Sequence, residues 1–235
     1  MAPTGNASWV ADLIGLQRFS SDMQELCALS DHLDIYDRYL IQNLAAFEAP
    51  PSSWVETLQF LLRSASRRTD NQERLTVTLR GVIPAQQMRG AKEELLEWID
   101  VSRREVRPSA LTALKKRLLQ CAEGIDRKPR ILLDVREEPP RNSGQAAFST
   151  EWFHGRFIHI PRIALISSDR SMDFVGRSIW GNAKSDAAFS LVSSHGIRDN
   201  GFIRWPQSQL SEVALQQRWS QQVTLQKGGP VELLA

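Results

Sequence analysis

Cysteine is scarce in this sequence, which contains Cys27 and Cys121 and no others among its 235 residues. Small secreted domains that depend on disulfides carry several cysteines, so that class is excluded and a reducing, cytoplasmic compartment is expected. The sequence also lacks any run of about 18 apolar residues, the length that a membrane-spanning helix needs. No basic segment precedes an apolar stretch near Met1, so a secretory signal is not expected. We therefore expect a cytoplasmic protein with no membrane contact.

Charge of one sign is not in large excess either. The 29 Lys and Arg residues stand against 27 Asp and Glu residues, which gives a formal net charge of +2. Proteins that coat nucleic acid or acidic membranes along their whole surface need a larger positive excess, although a local basic patch is compatible with this balance. With 42% hydrophobic and 24% charged residues, the composition is that of an ordinary globular protein.

Common catalytic and cofactor signatures are missing as well. The sequence contains no glycine-rich loop ending in Gly-Lys-Ser/Thr, no Gly-x-Gly-x-x-Gly between a strand and a helix, and no Gly-x-Ser-x-Gly. Neither the two cysteines nor the four histidines have the spacing of metal ligands. We therefore expect no metal or other cofactor, and we expect both cysteines to be buried and unreactive.

Hydrophobic periodicity predicts an α/β fold. Apolar residues at helical spacing predict helices over residues 9–27, 53–62, 91–101 and 109–122, and a final helix over 208–223. Strands are predicted over 33–41, over 74–80 with an end at Gly81, and over 131–135. Closely spaced strands follow over 152–160, 163–166, 172–175 and 187–192. We expect a single α/β domain over 31–235, with a mixed sheet flanked by helices, and an amino-terminal helical extension over 1–30.

One segment stands apart, Glu151-Trp-Phe-His-Gly-Arg-Phe-Ile-His-Ile160. In an extended strand His154 and Arg156 share one face, whereas His159 takes the other. Arginine presents a planar fork of donors to phosphate oxygens, and histidine can act as a nucleophile or an acid, so this pair is suited to binding a phosphodiester. The alternative is structural, with the histidine hydrogen-bonded inside the sheet and the arginine paired to a neighbouring acid.

This segment resembles the phospholipase D-like superfamily, in which a strand carries His-x-Lys-x4-Asp and a Gly-Ser-x-x-Asn-like element follows. His154 stands at the position of the histidine, Arg156 at that of the lysine, and Pro161 at that of the aspartate. Gly176-Arg-Ser178 with Asn182 is similar to the second element. A degenerate branch with His-x-Arg is the closer likeness, and the segment 33–41 is similar to its opening strand. The resemblance covers residues 30–225 and implies a phospholipase D-like sheet.

In active members of the superfamily the histidine attacks phosphorus, the lysine and asparagine hold the phosphate, and the aspartate orients the imidazole. Two such motifs combine, whereas this chain carries one, so a homodimer would have to supply the second. Loss of an orienting carboxylate alone lowers the rate about 10⁴-fold in a Ser-His-Asp hydrolase. The resemblance therefore implies a pseudoenzyme: a non-catalytic accessory or interaction subunit of a bacterial or phage-type multi-protein system that handles DNA, such as antiviral defence against phage.

Two other functions stay open. One is a phosphodiesterase or nuclease that is active as a dimer and uses His154, Arg156, Ser178 and Asn182 as its catalytic residues. The other is a subunit that only bridges two proteins. For the accessory subunit and for the bridging subunit alike, we expect other protein subunits as partners. Trp180 and Trp205 lie in surroundings typical of loops and are candidate interface anchors.

A basic tract runs through the middle of the sequence. Its candidate nucleic-acid-binding residues are Arg103, Arg104, Arg107, Lys115, Lys116, Arg117, Lys128 and Arg130. Cations on one face attract phosphate irrespective of base sequence, so contact with a DNA or RNA backbone is one interpretation. A solvated helix face is the other. Arg63, Arg67 and Arg68 would extend the patch if they lie on the same side.

Overall fold

The computed structural model describes part of the chain: residues 8–10, 13–37, 40–41, 53–67, 73–83, 93–137, 156–168, 188–193, 212–226 and 228–235. The helices are α1 (Leu13–Ala28), α2 (Ser53–Ser66), α3 (Glu93–Trp98), α4 (Pro108–Cys121) and α5 (Glu212–Ser220). The strands are β1 (Ser8–Val10), β2 (His32–Tyr36), β3 (Thr76–Ile83), β4 (Ile99–Asp100), β5 (Glu105–Val106), β6 (Arg130–Glu137), β7 (Arg156–Ile160), β8 (Ala164–Ser168), β9 (Ala188–Ser193), β10 (Val223–Thr224) and β11 (Val231–Leu234).

Three parallel strands form the centre of the main sheet. β2 pairs with β3, and β3 pairs with β6. In the chain, α2 lies between β2 and β3, and α4 lies between β3 and β6. This is the βαβ arrangement that neighbouring parallel strands require. The carboxyl ends of all three strands therefore lie at the same edge of the sheet, here called the carboxyl edge.

Antiparallel strands extend this centre on both sides. Within the described residues the order is β1-β9-β8-β7-β2-β3-β6-β10, and β11 also pairs with β6. β7 runs antiparallel to β2, so β7 begins at the carboxyl edge. β4 and β5 form a separate ribbon. The prediction of an α/β fold with a mixed sheet flanked by helices is confirmed.

The two faces of the sheet differ in chemistry because side chains alternate along each strand. On one face apolar side chains such as Ile35, Leu79 and Leu133 are fully buried in the main hydrophobic core. The core is closed by α1, α2 and α4, which contribute Met23, Leu26, Leu58, Leu61, Leu62, Leu114 and Leu118. The opposite face, here called the polar face, carries charged residues from the same strands.

The described residues among the first 30, which are 8–10 and 13–30, contribute to this same sheet and core. Met23, Leu26 and Cys27 of α1 lie in the main core, and β1 pairs with β9 at the end of the sheet. Instead of standing apart as an extension, α1 packs against α2. The described part of this segment thus shares one sheet and one core with the residues that follow it.

Some element boundaries differ from the sequence prediction for local reasons. β2 ends at Tyr36 because the chain turns at Asp37, whose backbone oxygen accepts from the Leu40 N–H at 3.1 Å. β3 continues through Gly81, where the missing side chain leaves room for Leu40: an added Cβ would lie 3.0 Å from Leu40 Cδ2. α3 ends at Trp98 because a turn follows, in which Asp100 Oδ1 accepts hydrogen bonds from two backbone N–H groups and a serine hydroxyl. The strand predicted over 172–175 lies outside the described residues.

None of the helices in the described ranges combines the length and apolar character needed to cross a membrane.

Candidate functional site

The carboxyl edge is where the structure places Arg156. Tyr36, the last residue of β2, pairs with Phe157 of β7, so Arg156 lies level with the start of the turn at Asp37. Ligands of open α/β sheets bind outside the carboxyl ends of the parallel strands. Arg156 therefore lies at the edge where this architecture places a ligand. His154, Ser178 and Asn182 lie outside the described residues.

Asp37, in the 33–41 segment that resembles the superfamily's opening strand, is a carboxylate for which no role was predicted from sequence. It is 1% exposed, and its backbone N–H donates to the Arg80 oxygen at 3.0 Å, which fixes the turn to β3. The register of β2 and β7 brings it next to the end of β7 that carries Arg156. In the structural alternative, Arg156 is paired to a neighbouring acid, and the position of Asp37 suits that role. The same position also suits an acid that orients a catalytic side chain.

Pro161, at the position of the superfamily's aspartate, lies at the other end of β7. It begins the turn of residues 161–163 that leads into β8. At about 3.3 Å per residue, five residues of strand separate it from Arg156 by about 16 Å. Since a side chain at 161 lies at the amino edge of the sheet, a carboxylate for the carboxyl edge has to come from another element.

The polar face holds a buried network of charged groups that was not predicted. Asp134 of β6, 1% exposed, accepts hydrogen bonds at Oδ2 from Arg80 of β3 at 3.1 Å and from Trp219 Nε1 of α5 at 3.1 Å. Arg136 donates to both oxygens of the same carboxylate at 3.2 Å. The second nitrogen of Arg80 reaches Asp34 of β2 at 3.2 Å. One arginine thus joins two buried carboxylates on different strands.

His159 of β7 extends the network to a fourth strand. Its Nδ1 lies 3.2 Å from Asp34 Oδ2, and its side chain is 2% exposed. Burial by itself raises the pKa of Asp34, but the hydrogen bond to His159 and the charge of Arg80 outweigh that effect and lower the pKa below its usual range. Asp34 therefore stays ionised inside the sheet at neutral pH.

Aromatic rings cover the arginines of this network. The Trp219 ring meets the Tyr36 ring edge-on at a centroid distance of 5.3 Å, and the Arg80 guanidinium lies 5.3 Å from Trp219 and 5.4 Å from Tyr36. Arg136 lies 4.7 Å from the Trp219 ring and also donates to the Trp219 backbone oxygen at 2.8 Å. Burial raises the pKa of Tyr36, so its hydroxyl stays protonated. α5 is thereby fixed to the polar face by polar and aromatic contacts.

The network balances its own charge. Two carboxylates face two guanidinium groups, and each carboxylate accepts from more than one donor. Buried charges are tolerated when they are paired and hydrogen-bonded in this way. The arrangement holds β2, β3, β6, β7 and α5 together and leaves little unbalanced charge for a ligand. The sequence did contain a sign of this network. In two of the parallel strands an aspartate stands between apolar residues, as Leu33-Asp-Ile in β2 and Leu133-Asp-Val in β6.

The predicted basic residues fall into three groups. Arg103 and Arg104 lie in the β4–β5 turn, where Arg104 pairs with Glu137 at the end of β6, and Arg107 follows as the N-cap of α4. Lys115, Lys116 and Arg117 lie on α4. Lys128 and Arg130 lie at the opposite, amino edge. α4 has 14 residues, so about 21 Å of helix separates the first group from the last.

Several of these cations form ion pairs with acids or hydrogen bonds to backbone oxygens. Arg130 donates two hydrogen bonds to Glu232, at 2.9 and 2.5 Å. Arg103 lies 3.9 Å from Asp100 and 3.7 Å from Glu105, and Arg107 donates to the Leu96 oxygen at 2.7 Å. Lys115 and Lys116 are exposed, and in the described part of the structure neither forms an ion pair. The basic tract of the sequence is thus not one uniform surface.

Both cysteines are buried thiols, and burial raises the pKa of Cys121 to about 11, with the nearby charges of Arg117 and Arg63 opposing that shift. Among the residues described, no three His, Cys, Asp or Glu side chains are grouped so that they could hold a metal ion. Trp180 and Trp205, the candidate interface anchors, lie outside the described ranges.

No protein-family model matches this chain, and comparison with curated proteins and with solved structures finds no match.

Proposed function

We propose that this chain is a non-catalytic phospholipase D-like accessory subunit of a multi-protein system that handles DNA, and that its carboxyl edge binds a phosphodiester without cleaving it. The single observation that carries the proposal is the position of Arg156. It stands at the beginning of β7, beside the carboxyl ends of three parallel strands, where α/β sheets bind their ligands. An arginine at that edge offers a planar fork of donors to phosphate oxygens.

The organisation of the polar face supports a role without catalysis. Its buried acids and bases are committed to one another and to α5, so the groups that could exchange protons serve to hold the sheet. The position that the superfamily gives to its aspartate is occupied by Pro161, which has no ionisable group. Binding then depends on Arg156 at the carboxyl edge, and hydrolysis would need catalytic groups that Arg156 and Pro161 do not supply.

One observation favours a second candidate function, a phosphodiesterase that acts as a dimer through His154. Asp37 is a buried carboxylate at the same edge and in line with the start of β7. A buried acid next to a histidine can fix its tautomer and support it as a nucleophile or base. A protein–protein bridging role without any phosphate ligand remains the third candidate.

Binding and hydrolysis of the same small probe separate these functions. The purified chain is titrated with bis(4-nitrophenyl) phosphate, and release of nitrophenolate is followed in parallel. We expect saturable binding without hydrolysis above the buffer rate. Arg156→Ala should weaken binding at least tenfold, because one charge-assisted fork is lost. Arg162→Ala is the matched control, since Arg162 lies in the turn at the other end of β7.

Each result decides between the candidates. Hydrolysis by the wild-type chain that His154→Ala abolishes, with unchanged circular dichroism, would overturn the non-catalytic proposal in favour of the phosphodiesterase. Equal binding by the wild-type chain and Arg156→Ala would overturn the assignment of the edge. Absence of both binding and hydrolysis would leave the bridging function.

A further inference from the structure

The outer surface of α2 and α4 carries a strip of positive charge that differs from the rest of the basic tract. The strip, here called the basic strip, consists of Arg63 of α2 and Lys115, Lys116 and Arg117 of α4. Arg63 and the two lysines are exposed, and Arg117 is half-buried. α4 contains no acidic residue along its 14-residue length. The helix therefore presents cations to solvent without a compensating acid of its own.

The structure joins Arg63 to this group, which the sequence could not do. α2 packs against α4, and the charges of both Arg63 and Arg117 act on the same buried thiol, Cys121 of α4. Successive helical residues are rotated by about 100°, so Lys116 points outward while Arg117 and Lys115 flank it on opposite sides. The cations therefore extend from α2 across the outer side of α4.

Acidic residues border the strip on both sides. The helices follow one another by contact in the order α1, α2, α4 and α3. α1 carries two acids, Asp22 and Glu25, against one arginine, and α3 carries the exposed Glu93 and Glu97. A positive strip between negative borders attracts a polyanion along one track and repels it elsewhere, which sets orientation as well as affinity.

We propose that the basic strip is a second contact surface of this protein and that its partner is the phosphate backbone of duplex DNA. The strip lies on the outer side of two helices. In the described part of the chain the large apolar side chains that are exposed are aliphatic: Leu29, Leu96, Leu119 and Val223. Binding of single strands relies on aromatic side chains on which bases stack, so the strip lacks that feature among these residues. Cations alone suit a duplex backbone, which is contacted without regard to base sequence. The inference rests on the proposed function only in taking DNA as the partner.

The test measures binding of a 30-base-pair duplex of arbitrary sequence by fluorescence anisotropy, over a series of salt concentrations. The variant is Lys115→Glu with Lys116→Glu. The control is Arg103→Glu with Lys128→Glu, which changes the net charge by the same amount at exposed residues outside the strip. Because each lost phosphate contact removes about 0.9 from the slope of log K against log salt, the variant should flatten the slope by about 2 and weaken binding at least tenfold at low salt.

Every outcome is decisive for the strip. A larger loss of affinity and slope in the variant than in the control supports the proposal. Equal losses in both proteins would overturn it, because net charge alone would then explain binding. No binding of the duplex by the wild-type chain would also overturn it. The proposal for the carboxyl edge is tested separately, with a small phosphodiester and the Arg156→Ala variant. One proposal can therefore be overturned while the other is supported.

Discussion

Replacing Asp134 by alanine should remove the centre of the buried network. Asp134 is 1% exposed and accepts hydrogen bonds from Arg80, Arg136 and Trp219 at 3.1–3.2 Å. Its loss leaves two guanidinium groups, each about one-fifth exposed, without their shared counter-charge. Breaking a buried ion pair by removing one partner destabilises a protein by about 3–5 kcal/mol. We expect a loss of about 4 kcal/mol, because the remaining arginine exposure allows some solvation.

That free energy corresponds to a shift which thermal unfolding measures easily. An unfolding entropy of about 2.1 cal/mol/K per residue over 235 residues gives about 0.5 kcal/mol per degree, so Tm should fall by about 8 °C. Circular dichroism at pH 7 follows the transition. Asp134→Asn should fall in between, because the amide oxygen still accepts a hydrogen bond while the charge is lost.

Glu232→Ala provides the matched control. Its carboxylate also receives two hydrogen bonds from one arginine, Arg130, but the two side chains are 37% and 48% exposed. Exposed pairs contribute about 0.2–1 kcal/mol, so its Tm should change by about 2 °C or less. If Asp134→Ala lowered Tm no more than Glu232→Ala, burial would not be what makes the network around Asp134 stronger than an exposed ion pair.

Two further predictions concern stability. The pKa of Asp34 is lowered in the folded state, so its contribution to stability is complete above about pH 4, the usual pKa of an unfolded aspartate, and is lost as the pH falls through the folded value. Asp34→Asn, which also weakens the contact to His159, should therefore make the urea midpoint less dependent on pH between about 5 and 2; an unchanged dependence would contradict the shift. Gly81→Val should destabilise the fold by about 1–3 kcal/mol, because the new side chain would overlap Leu40, which lies 3.0–3.1 Å from an added Cβ. A urea midpoint equal to that of the wild-type chain would show that Leu40 can move aside.

The elements with strong periodicity were predicted from sequence, because their local and tertiary preferences agree. The helix predicted over 109–122 is observed as Pro108–Cys121, and the strand predicted over 131–135 is the middle of Arg130–Glu137. Gly124, which follows α4, has a φ of 74°, which glycine adopts without strain. In these cases a residue pattern within about 14 positions determines the structure.

Features that depend on distant contacts were not predicted. β10 and β11 are two and four residues long, and they form because β6 offers them a pairing edge. The buried position of Asp34 depends on Arg80 and His159, which are 46 and 125 residues away in the chain. The same holds for the basic tract, because only the fold shows that Arg130 is held by Glu232. Sequence spacing carries no information about such pairings.

The charged groups of the polar face also constrain how the strands can align. His159 pairs in register with Asp34, and Arg80 pairs in register with Asp134, so a hydrogen-bonded pair and an ion pair form at two strand junctions. A shift of one residue along any of these strands would turn a charged side chain into the helix-covered core and an apolar one out of it. Such a misaligned sheet would bury an unpaired charge, which is far more costly than a mispacked leucine. These polar and charged residues therefore favour one alignment of four strands over its one-residue shifts.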